Sequence, residues 1–310
     1  MERTVKDIPE MYCEMMVLMK NCGKEENSRN GRVLSLPEPL LVAVTTPTMR
    51  VNTDLTRRCN PFFHVMEFVW MMAGSQDPDW ISQFNKRFTE YADQDTNLIH
   101  GAYGHRWIYH YHSNQIAKVT EMLRANPETR RAVIAMWDAE VDLGTEHNDL
   151  PCNTHIYLRV YQGKLDMTVC NRSNDVIWGM TGANAVHMTM LQEMIANSLG
   201  VPVGVYRVFS NNSHVYLDLK DLDSMLLTQY TSRLLRPRES KVHIPILADG
   251  ESIEEFMIDC MHFLLGSPAK CHWMKTVAKP VYDLWFNREA TNHIKDTYWK
   301  DACNLWLRRG

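Results

Sequence analysis

Apolar residues recur with helical spacing in two stretches of the chain. Residues 61–74 are apolar almost throughout and carry one charge, Glu67, in the middle, which indicates a helix buried on most of its surface. In residues 184–199 the large apolar side chains fall three or four positions apart, and Gly200 follows them. This spacing predicts a helix that packs on a sheet and ends at the glycine. A carboxylate inside the first, apolar helix predicts a functional role for Glu67.

Three segments have strand character: residues 131–137, 155–161 and 165–170. The last two alternate apolar and polar positions about a Gln-Gly-Lys turn, so we expect a hairpin with one buried face. The part after Gly266 contains four tryptophans and is expected to add further helix. The pattern therefore predicts an α+β protein with a mostly central sheet.

Length and composition are compatible with a single domain. The chain has 310 residues and a mass of 36.1 kDa, and its 45% of apolar residues is enough for a sizeable core. No internal repeat, low-complexity tract or linker rich in proline, glycine or serine marks a boundary. We expect one domain over residues 1–310, with about 267–310 as a divergent helical C-terminal extension.

Charge and cysteine usage narrow the classes of partner. The 33 basic and 37 acidic side chains give a net charge of −4 and are scattered, so no basic face favours a long nucleic acid. The charged N-terminal residues lack the apolar core of a signal peptide, and no apolar run approaches the length of a membrane span. The eight cysteines include no CxxC pair and no partner at metal-ligand spacing. We expect a cytoplasmic protein without a metal site, a disulfide framework or a membrane span.

Cys152 and Arg172 are the strongest candidates for chemistry. Cys152 follows a proline in the run LPCNTH, and Arg172 comes twenty positions later, with Ser173, in NRSND on the next strand. The thiol can act as a nucleophile, and the arginine beside it can bind an anion. We expect this anion to be a phosphate. Taken alone, a cysteine is more often a small buried apolar group, and Glu67 alone could be a salt-bridged core residue.

Several motifs together resemble those of a known family. In chain order they are SRNG with Arg29, RRC at residues 57–59, Glu67, AYGHRW with Tyr103, NPETRR with Arg130 and Arg131, LPC with Cys152, NRSND with Arg172, Ser173 and Asp175, Asn184, and NSHVY with His214 and Tyr216. On these motifs, residues from about 28 to about 247 resemble the thymidylate synthase superfamily, which includes the pyrimidine nucleotide hydroxymethylases. The resemblance implies a central mixed sheet flanked by helices. It also implies an obligate homodimer in which Arg130 and Arg131 reach the other subunit's nucleotide.

The reaction that this resemblance implies is transfer of one carbon from the co-substrate 5,10-methylenetetrahydrofolate to carbon 5 of a pyrimidine deoxynucleotide. Cys152 is then the nucleophile that adds to carbon 6, which calls for a lowered thiol pKa. Glu67 and Tyr103, with water, manage the protons, and a carboxylate in an apolar helix is expected to have a raised pKa. The other candidates are, for the 5′-phosphate, Arg29, Arg130, Arg131 and Arg172 with Ser173; for the sugar 3′-hydroxyl, His214 and Tyr216; and for the folate, Asp175, Phe88 and Arg57.

Counting along the chain assigns Asn184 as the residue that reads the base. The family's position lies eleven residues after Arg172, at Ala183, but also thirty before His214, at Asn184, and one inserted residue in the MTGA run reconciles the two counts. An asparagine amide can donate to O4 and accept from the N3 proton of uracil, whereas the cytosine-specific relatives have an aspartate there. Asn184 and His214 complete the predicted catalytic set. The assignment favours dUMP, with dCMP as the open alternative.

Three departures from thymidylate synthase bear on the product. Asn153 replaces the histidine after the cysteine, Phe88 replaces a tryptophan on the folate side with Tyr91 replacing another, and the chain ends in WLRRG instead of the usual closing segment. A less sealed pocket favours addition of water over hydride transfer to the exocyclic methylene. The first hypothesis is a dUMP 5-hydroxymethyltransferase. The alternatives are thymidylate synthase, a dCMP hydroxymethylase and a catalytically silent nucleotide- or RNA-binding relative, against which the retained Cys152 argues.

Overall fold

Short alternating segments of the chain become strands, and the long apolar segments become helices. The computed structural model describes residues 1–54, 57–219, 222–227, 242–288 and 293–308. The strands in these ranges are β1 (Glu2–Val5), β2 (Lys24–Ser28), β3 (Gly31–Ser35), β4 (Leu40–Val44), β5 (Val133–Ala135), β6 (Asn153–Tyr161), β7 (Lys164–Asn171), β8 (Asn174–Asp175), β9 (Val203–Ser210) and β10 (Ser213–Tyr216). The helices are α1 (Ile8–Cys22), α2 (Pro61–Met72), α3 (Pro78–Ser82), α4 (Tyr103–His105), α5 (Gln115–Ala125), α6 (Ala139–Asp142), α7 (Ala183–Leu199), α8 (Leu222–Leu227), α9 (Ile253–Leu264), α10 (Lys279–Phe286) and α11 (Thr297–Leu307).

The large sheet has, within the described ranges, six strands in the order β1-β4-β9-β7-β6-β5. β1 and β4 are parallel, as are β7 and β9, and the other neighbours are antiparallel, so the sheet is mixed. A second sheet, with four strands in the described part of the chain, has the order β2-β3-β10-β8. Mixed sheets flanked by helices confirm the predicted α+β class.

The two helices predicted from apolar spacing are both present. α2 begins after Asn60, whose side chain accepts a hydrogen bond from the backbone N–H of Phe63 (3.1 Å), and Pro61 occupies its first turn. α7 ends at Gly200, whose left-handed φ of 68° closes the last turn. α7 packs on β7 and β9, and α2 packs on α7. Nearly all side chains of α2 are therefore buried, and the partly buried Glu67 lies between them.

The predicted hairpin consists of β6 and β7 and turns at residues 162–163, which both have positive φ. The strand predicted at residues 131–137 is shorter in the structure, because β5 covers only Val133–Ala135. The N–H groups of the next two residues both point to the carbonyl of Thr154, at 2.8 and 3.1 Å, which ends the regular ladder. The prediction was correct in its place and too long at both ends.

The two faces of the large sheet differ in what covers them. On the face under α7, Ile134, Ile156, Met167 and Val169 are fully buried. On the opposite face, apolar side chains remain exposed to between 37% and 52%: Val133, Tyr157, Tyr161 and Phe209. The strand register brings these residues close together, since Val133 is paired with Tyr157 and Cys170 with Phe209. This second face has no covering layer in the described part of the chain, and it also carries Asp166, whose Oδ2 pairs with Arg159 (3.2 Å) and Arg207 (2.9 Å).

The tryptophan-rich tail is helical and packs against α2. Trp273 is fully buried and meets Phe68 edge-on, with ring centroids 6.1 Å apart. Trp285 packs on Phe62, and its indole N–H donates to the backbone carbonyl of Gln83 (3.1 Å). Both α10 and α11 contact α2. The helical character predicted for the tail is confirmed in its described residues.

A contiguous apolar cluster includes side chains from Val5 near the N-terminus to Cys303 in α11. All eight cysteines are free thiols. Among the described residues, no helix combines the length and the apolar character needed to cross a bilayer.

Candidate active site

Cys152 lies immediately before β6, where the incoming loop meets the sheet. The hydroxyl of Tyr103 accepts hydrogen bonds from the backbone N–H groups of Cys152 (3.2 Å) and Asn153 (3.1 Å). The backbone N–H of Arg172, at the end of β7, donates to the carbonyl of Cys152 (3.0 Å). Three hydrogen bonds thus fix the backbone at the thiol, and the thiol itself is only partly buried.

Arg172 reaches back over the same loop. Its Nε donates to the carbonyl of Pro151 (2.9 Å) and its Nη2 to the carbonyl of Leu150 (3.0 Å), and its guanidinium lies 5.6 Å from the ring centroid of Trp137. The side chain is exposed at its outer end. A positive charge is therefore held beside the thiol by the two residues that precede it.

The expectation of a lowered thiol pKa at Cys152 was wrong for this ligand-free structure. Burial raises the pKa of Cys152, and the positive charges of Arg172 and Arg29 lower it by less than burial and the carboxylates of Asp149 and Asp175 raise it. Sequence spacing predicted the arginines correctly as neighbours of the thiol. It did not predict the desolvation and the opposing carboxylates.

The small sheet brings further nucleotide-binding candidates to the same side. Arg29 is exposed in the turn between β2 and β3, where Ser28 Oγ donates to the carbonyl of Gly31 (2.6 Å). β3 pairs with β10, and β10 pairs with β8 in the segment that follows Arg172 and the half-buried Ser173. The positive charge of Arg29 lowers the pKa of Cys152, so this turn acts electrostatically on the thiol.

His214 and Tyr216 project from β10. The Nδ1 of His214 is 2.9 Å from the Oδ1 of Asn212, and its ring meets that of Tyr216 edge-on at 5.4 Å between centroids. Burial lowers the pKa of His214, so the ring is neutral near pH 7. Both side chains are partly open, as a contact to a sugar hydroxyl requires.

Asn184 stands in the first turn of α7, after an unusually wide turn. In residues 176–181 the N–H of Thr181 donates to the carbonyl of Val176 (3.1 Å), five positions earlier, instead of the usual four. A turn of this π type accommodates one more residue than an α turn, and the count from Arg172 to Asn184 requires one more residue. The Nδ2 of Asn184 lies beside Gly179, 3.1 Å from where a Cβ would be, and is partly accessible.

Glu67 is partly buried in α2, and its expected pKa shift is confirmed. Burial, with a smaller effect of the Asp149 charge, raises the pKa of Glu67 from 4.5 to about 8. Its Oε2 has no hydrogen-bond partner among the described residues and is 3.6 Å from the Nε2 of His187. That nitrogen points to the carbonyl of His64 (3.0 Å), and burial lowers the pKa of His187 to about 4. Glu67 is therefore a neutral carboxyl group beside a neutral imidazole at pH 7.

Asp149 is a further carboxylate at the site, and the sequence reading did not select it. It lies three residues before Cys152, and its charge contributes to the raised pKa values of Glu67, Tyr103 and Cys152. Burial raises its own pKa to about 6, against the effects of Arg106 and Arg172, which lower it. The letters NDLPC do contain the residue, but no periodicity or motif singles it out.

The predicted folate-side residues are in different environments. Phe88 is 9% exposed and packs edge-on against Trp70, whereas Tyr91 is 41% exposed. Asp175 accepts hydrogen bonds from the N–H groups of Ile177 and Trp178 (both 2.7 Å) and so begins the wide turn. Burial raises the pKa of Asp175 to about 6.

Arg57 is almost fully buried against the wide turn. It donates to the carbonyl of Ile177 and lies 5.1 Å above the ring of Trp178. Its Nε and Nη1 have no hydrogen-bond partner in the described part of the chain. The guanidinium thus retains donors beside the segment that carries Asp175 and Trp178.

Arg130 and Arg131 are exposed in the loop before β5, at the edge of the large sheet. Their position is next to the exposed face that carries Val133 and Tyr157.

One group of possible metal ligands lies behind the site, among the described residues: Asp93, His100 and His147. The two imidazole rings are stacked, with centroids 3.6 Å apart and planes within 6°. The lone pairs of the two rings therefore lie in parallel planes about one ring thickness apart. His147 Nδ1 and Asp93 Oδ2 are already joined at 2.7 Å, as are His100 Nε2 and Asp142 Oδ1.

Comparison with known proteins agrees with this arrangement. A family model described as thymidylate synthase matches residues 10–264. A deoxyuridylate hydroxymethyltransferase of Pseudomonas phage M6 is 46% identical over 195 residues, which are 63% of this chain and 55% of the relative. A deoxyuridylate hydroxymethyltransferase of Bacillus phage SP01 is 31% identical over 220 residues, which are 67% of this chain and 57% of the relative. A thymidylate synthase of Corynebacterium aurimucosum is 29% identical over 165 residues, which are 51% of this chain and 60% of the relative. The chain spans somewhat more than half the length of the curated relatives it matches.

Proposed function

Because the chain belongs to the thymidylate synthase family, we propose that it is a dUMP 5-hydroxymethyltransferase, which moves one carbon from 5,10-methylenetetrahydrofolate to carbon 5 of dUMP. The observation that carries the proposal is the setting of Cys152, whose backbone is held by Tyr103 and which has Arg172 and Arg29 as charged neighbours. The names of the two phage relatives support hydroxymethyl over methyl as the product.

In this proposal Cys152 adds to carbon 6 of the uracil ring. Burial raises the pKa of the thiol, and the positive charges of Arg172 and Arg29 oppose that shift, so the arginines assist formation of the thiolate. Arg172 and Arg29, with Ser173, hold the 5′-phosphate and bring the ring against the thiol. His214 and Tyr216 contact the sugar. Positioning of the ring then supplies a large part of the rate.

Asn184 reads the base, because its amide can donate to O4 and accept from the N3 proton of uracil. Glu67 is protonated at neutral pH and suits the role of an acid toward O4, either directly or through water. The hydroxyl of Tyr103 is part of the same proton path. An Asn184→Asp variant should turn preference toward dCMP, which is the third candidate substrate.

Folate, as co-substrate, supplies the one-carbon unit. Tyr91 and Trp178 expose 41% and 48% of their surfaces, and such rings suit a flat pterin. Asp175 is the proposed polar contact, the buried Arg57 acts on the folate side through the turn that carries Asp175 and Trp178, and Phe88 supports the wall from behind through its contact with Tyr91 at 5.9 Å. The same wall is less bulky than one lined by tryptophan, and this favours entry of water.

We also propose a homodimer formed through the exposed face of the large sheet. Val133, Tyr157, Tyr161 and Phe209 give that face exposed apolar area around the ion-paired Arg159, Asp166 and Arg207, and the exposed Arg130 and Arg131 lie at its edge. Both arginines would then complete the phosphate site of the other subunit. The eight free cysteines suit a reducing compartment such as the cytoplasm.

The dimer proposal has a direct test. Cys152→Ala and Arg131→Ala proteins should each be nearly inactive, whereas a mixture that has exchanged subunits should regain about a quarter of wild-type activity, since one site in a mixed dimer is intact. No recovery after verified exchange would show that the arginine acts within its own chain. Tyr157→Asp should shift the protein toward monomer in sedimentation.

The C-terminal tail, beyond the residues matched by the family model, is proposed to be a permanent part of a single domain. Its buried Trp273 and Trp299 belong to the common apolar cluster, so removal of residues 267–310 should expose α2 and unfold the protein. A truncated chain that keeps its cooperative unfolding and loses only turnover would instead identify the tail as a lid.

Product analysis tests the function itself. Incubated with dUMP and methylenetetrahydrofolate, the protein should yield tetrahydrofolate and 5-hydroxymethyl-dUMP, which mass spectrometry distinguishes from dTMP by one oxygen. Formation of dTMP and dihydrofolate would assign the chain as a thymidylate synthase. Absence of tritium release from [5-³H]dUMP, equal to that of Cys152→Ala, would instead favour a silent nucleotide-binding protein.

A further inference from the structure

The loop that precedes Cys152 contains the carboxylate of Asp149. Asp93 anchors the beginning of the loop, since its Oδ2 is 2.7 Å from the Nδ1 of His147 and its Oδ1 accepts from the N–H of Asn148 (3.0 Å). The amide of Asn148 donates to the carbonyl of Ala92 (2.7 Å). Asp149 is the next residue, so these hydrogen bonds fix its backbone from the N-terminal side, away from Cys152.

A glycine makes room for the Asp149 side chain. The backbone N–H of Gly101 lowers the pKa of Asp149, and a Cβ at Gly101 would lie 2.6 Å from the Oδ2 of that carboxylate. Two residues further on, the hydroxyl of Tyr103 holds the backbone of Cys152. The carboxylate is therefore held between the Gly101–Tyr103 turn and the thiol loop, and it remains partly accessible.

Asp149 and Glu67 differ in protonation at the same site. Burial raises the pKa of Glu67 to about 8 and that of Asp149 to about 6, where Arg106 and Arg172 limit the shift. At pH 7 Glu67 is mostly protonated and Asp149 is mostly ionised. Two carboxyl groups whose pKa values are separated in this way are suited to opposite acid and base roles.

Asp175 has the same pKa of about 6, but its Oδ1 accepts the backbone N–H groups of Ile177 and Trp178, and the remaining titratable groups at the site are poor bases. The pKa of Tyr103 is raised by burial, so its hydroxyl stays protonated. His187 points its Nε2 to a carbonyl and has a pKa lowered to about 4. Cys152 is bonded to the substrate after the first step. His214 is held by Asn212 on the sugar side.

We propose that Asp149 is the general base for the water that adds to the exocyclic methylene of the bound nucleotide. This rests on the proposed hydroxymethyltransferase function. The water oxygen bonds to the methylene carbon while one of its protons passes to the Asp149 carboxylate, and the electron pair of the methylene double bond moves through carbon 5 to O4. That pair then re-forms the double bond between carbons 5 and 6 and expels the Cys152 thiolate, which recovers the proton from Asp149 directly or through solvent.

The test separates this late step from the earlier ones. Tritium leaves carbon 5 of [5-³H]dUMP before water adds, so it reports Cys152 attack, carbon transfer and proton removal. In a single turnover, Asp149→Asn should release tritium within about threefold of the wild-type rate but form 5-hydroxymethyl-dUMP about 100-fold more slowly. The stalled methylene should then be trapped by 2-mercaptoethanol as a thioether of dUMP, detected by mass. Formate added to Asp149→Ala should restore product without changing tritium release.

Two further variants serve as matched tests. Gly101→Ala displaces the carboxylate of Asp149 without removing it. As in Asp149→Asn, product formation should then fall more than tritium release. Asp93→Ala loosens the loop and should lower both readouts in parallel, without the thioether. Equal losses of tritium release and product in Asp149→Asn would overturn the proposal, as would loss of tritium release in an Asp149→Asn protein whose Cys152 still reacts with iodoacetamide. Failure of the proposed function is a separate result, since wild type would then give dTMP and dihydrofolate or release no tritium.

Discussion

Helix α2 and the loop before Cys152 present the same functional group to one site from opposite kinds of surroundings. Glu67 comes from a helix whose other side chains are almost all apolar, and its Oε2 has no hydrogen-bond partner among the described residues. Asp149 comes from a polar loop, and the backbone N–H of Gly101 lowers its pKa. The difference of about two pH units between the two groups follows from these surroundings, because both are carboxylic acids with similar intrinsic acidity.

The comparison teaches that residue type alone does not assign an acid or a base. A site that must protonate a carbonyl oxygen and later accept a proton from water can use two carboxyl groups if their environments differ. Exchanging the environments, or removing one group at a time, should therefore affect different steps of one reaction.

The largest expected effect is that of Glu67→Gln. An amide keeps the shape of the protonated carboxyl group but cannot pass a proton, so tritium release from [5-³H]dUMP should fall about 10²- to 10⁴-fold. The measurement is the initial rate at saturating dUMP and folate. A Glu67→Gln protein that releases tritium at the rate of wild type would remove the helix carboxylate from the mechanism and leave the loop carboxylate alone.

Tyr103→Phe should have the next largest effect. Loss of the hydroxyl leaves the N–H groups of Cys152 and Asn153 without their acceptor, and it shifts the thiol that both carboxylates serve. Tritium release and product should fall together, about 10- to 100-fold, because a misplaced nucleophile slows every later step. A change in their ratio would mean that Tyr103 belongs to only one of the two proton paths.

The pH dependence should show the two groups separately. Tritium release needs protonated Glu67 and should fall as the pH rises through about 8, whereas product formation per tritium released needs ionised Asp149 and should fall about tenfold per unit below about pH 6. Rates from pH 5 to 9 in wild type and Asp149→Asn are the check. In the variant, the ratio should no longer depend on pH below 6.

The smallest effect is on the free energy of unfolding, and its size and pH range distinguish the two carboxyl groups. The pKa of Glu67 is higher in the folded protein, so folding takes up a proton and the free energy of unfolding decreases as the pH rises from 4.5 towards 8. Glu67→Gln should therefore stabilise the protein increasingly from pH 5 to pH 8, with a Tm gain of about 2–4 °C per kcal/mol. The pKa of Asp149 is shifted less than that of Glu67, so Asp149→Asn should raise the Tm less. This increase should stop growing above about pH 6. Thermal unfolding at both pH values compares the two variants.

Much of the fold could be predicted because its signals are local. The spacing of apolar side chains located α2 and α7, and Gly200 gave the end of α7 because only a left-handed residue closes that turn easily. The end of β5 could not be predicted, since the carbonyl of Thr154, which is shared by two N–H groups, belongs to another strand. Strand ends depend on partners that the local sequence does not reveal.

The site was predictable where family motifs covered it and incomplete elsewhere. Cys152, Arg172 and Arg29 do lie together, but the direction of the thiol pKa shift was wrong because desolvation depends on the whole surrounding fold. Asp149 was missed because its importance comes from Gly101 and from the anchors at Asp93, which are distant in sequence. The roles of all these residues remain predictions that the experiments above address.

The wide turn at residues 176–181 has a consequence for how a base preference could be changed. Its extra residue is absorbed within a single loop of backbone, so neither β8 before it nor α7 after it needs to move. The distance from the Asn184 amide to the pyrimidine ring can therefore be changed by inserting or deleting a residue in this one turn. A deletion that restores an ordinary turn should retract the amide by a fraction of a helical turn while the rest of the framework keeps its register.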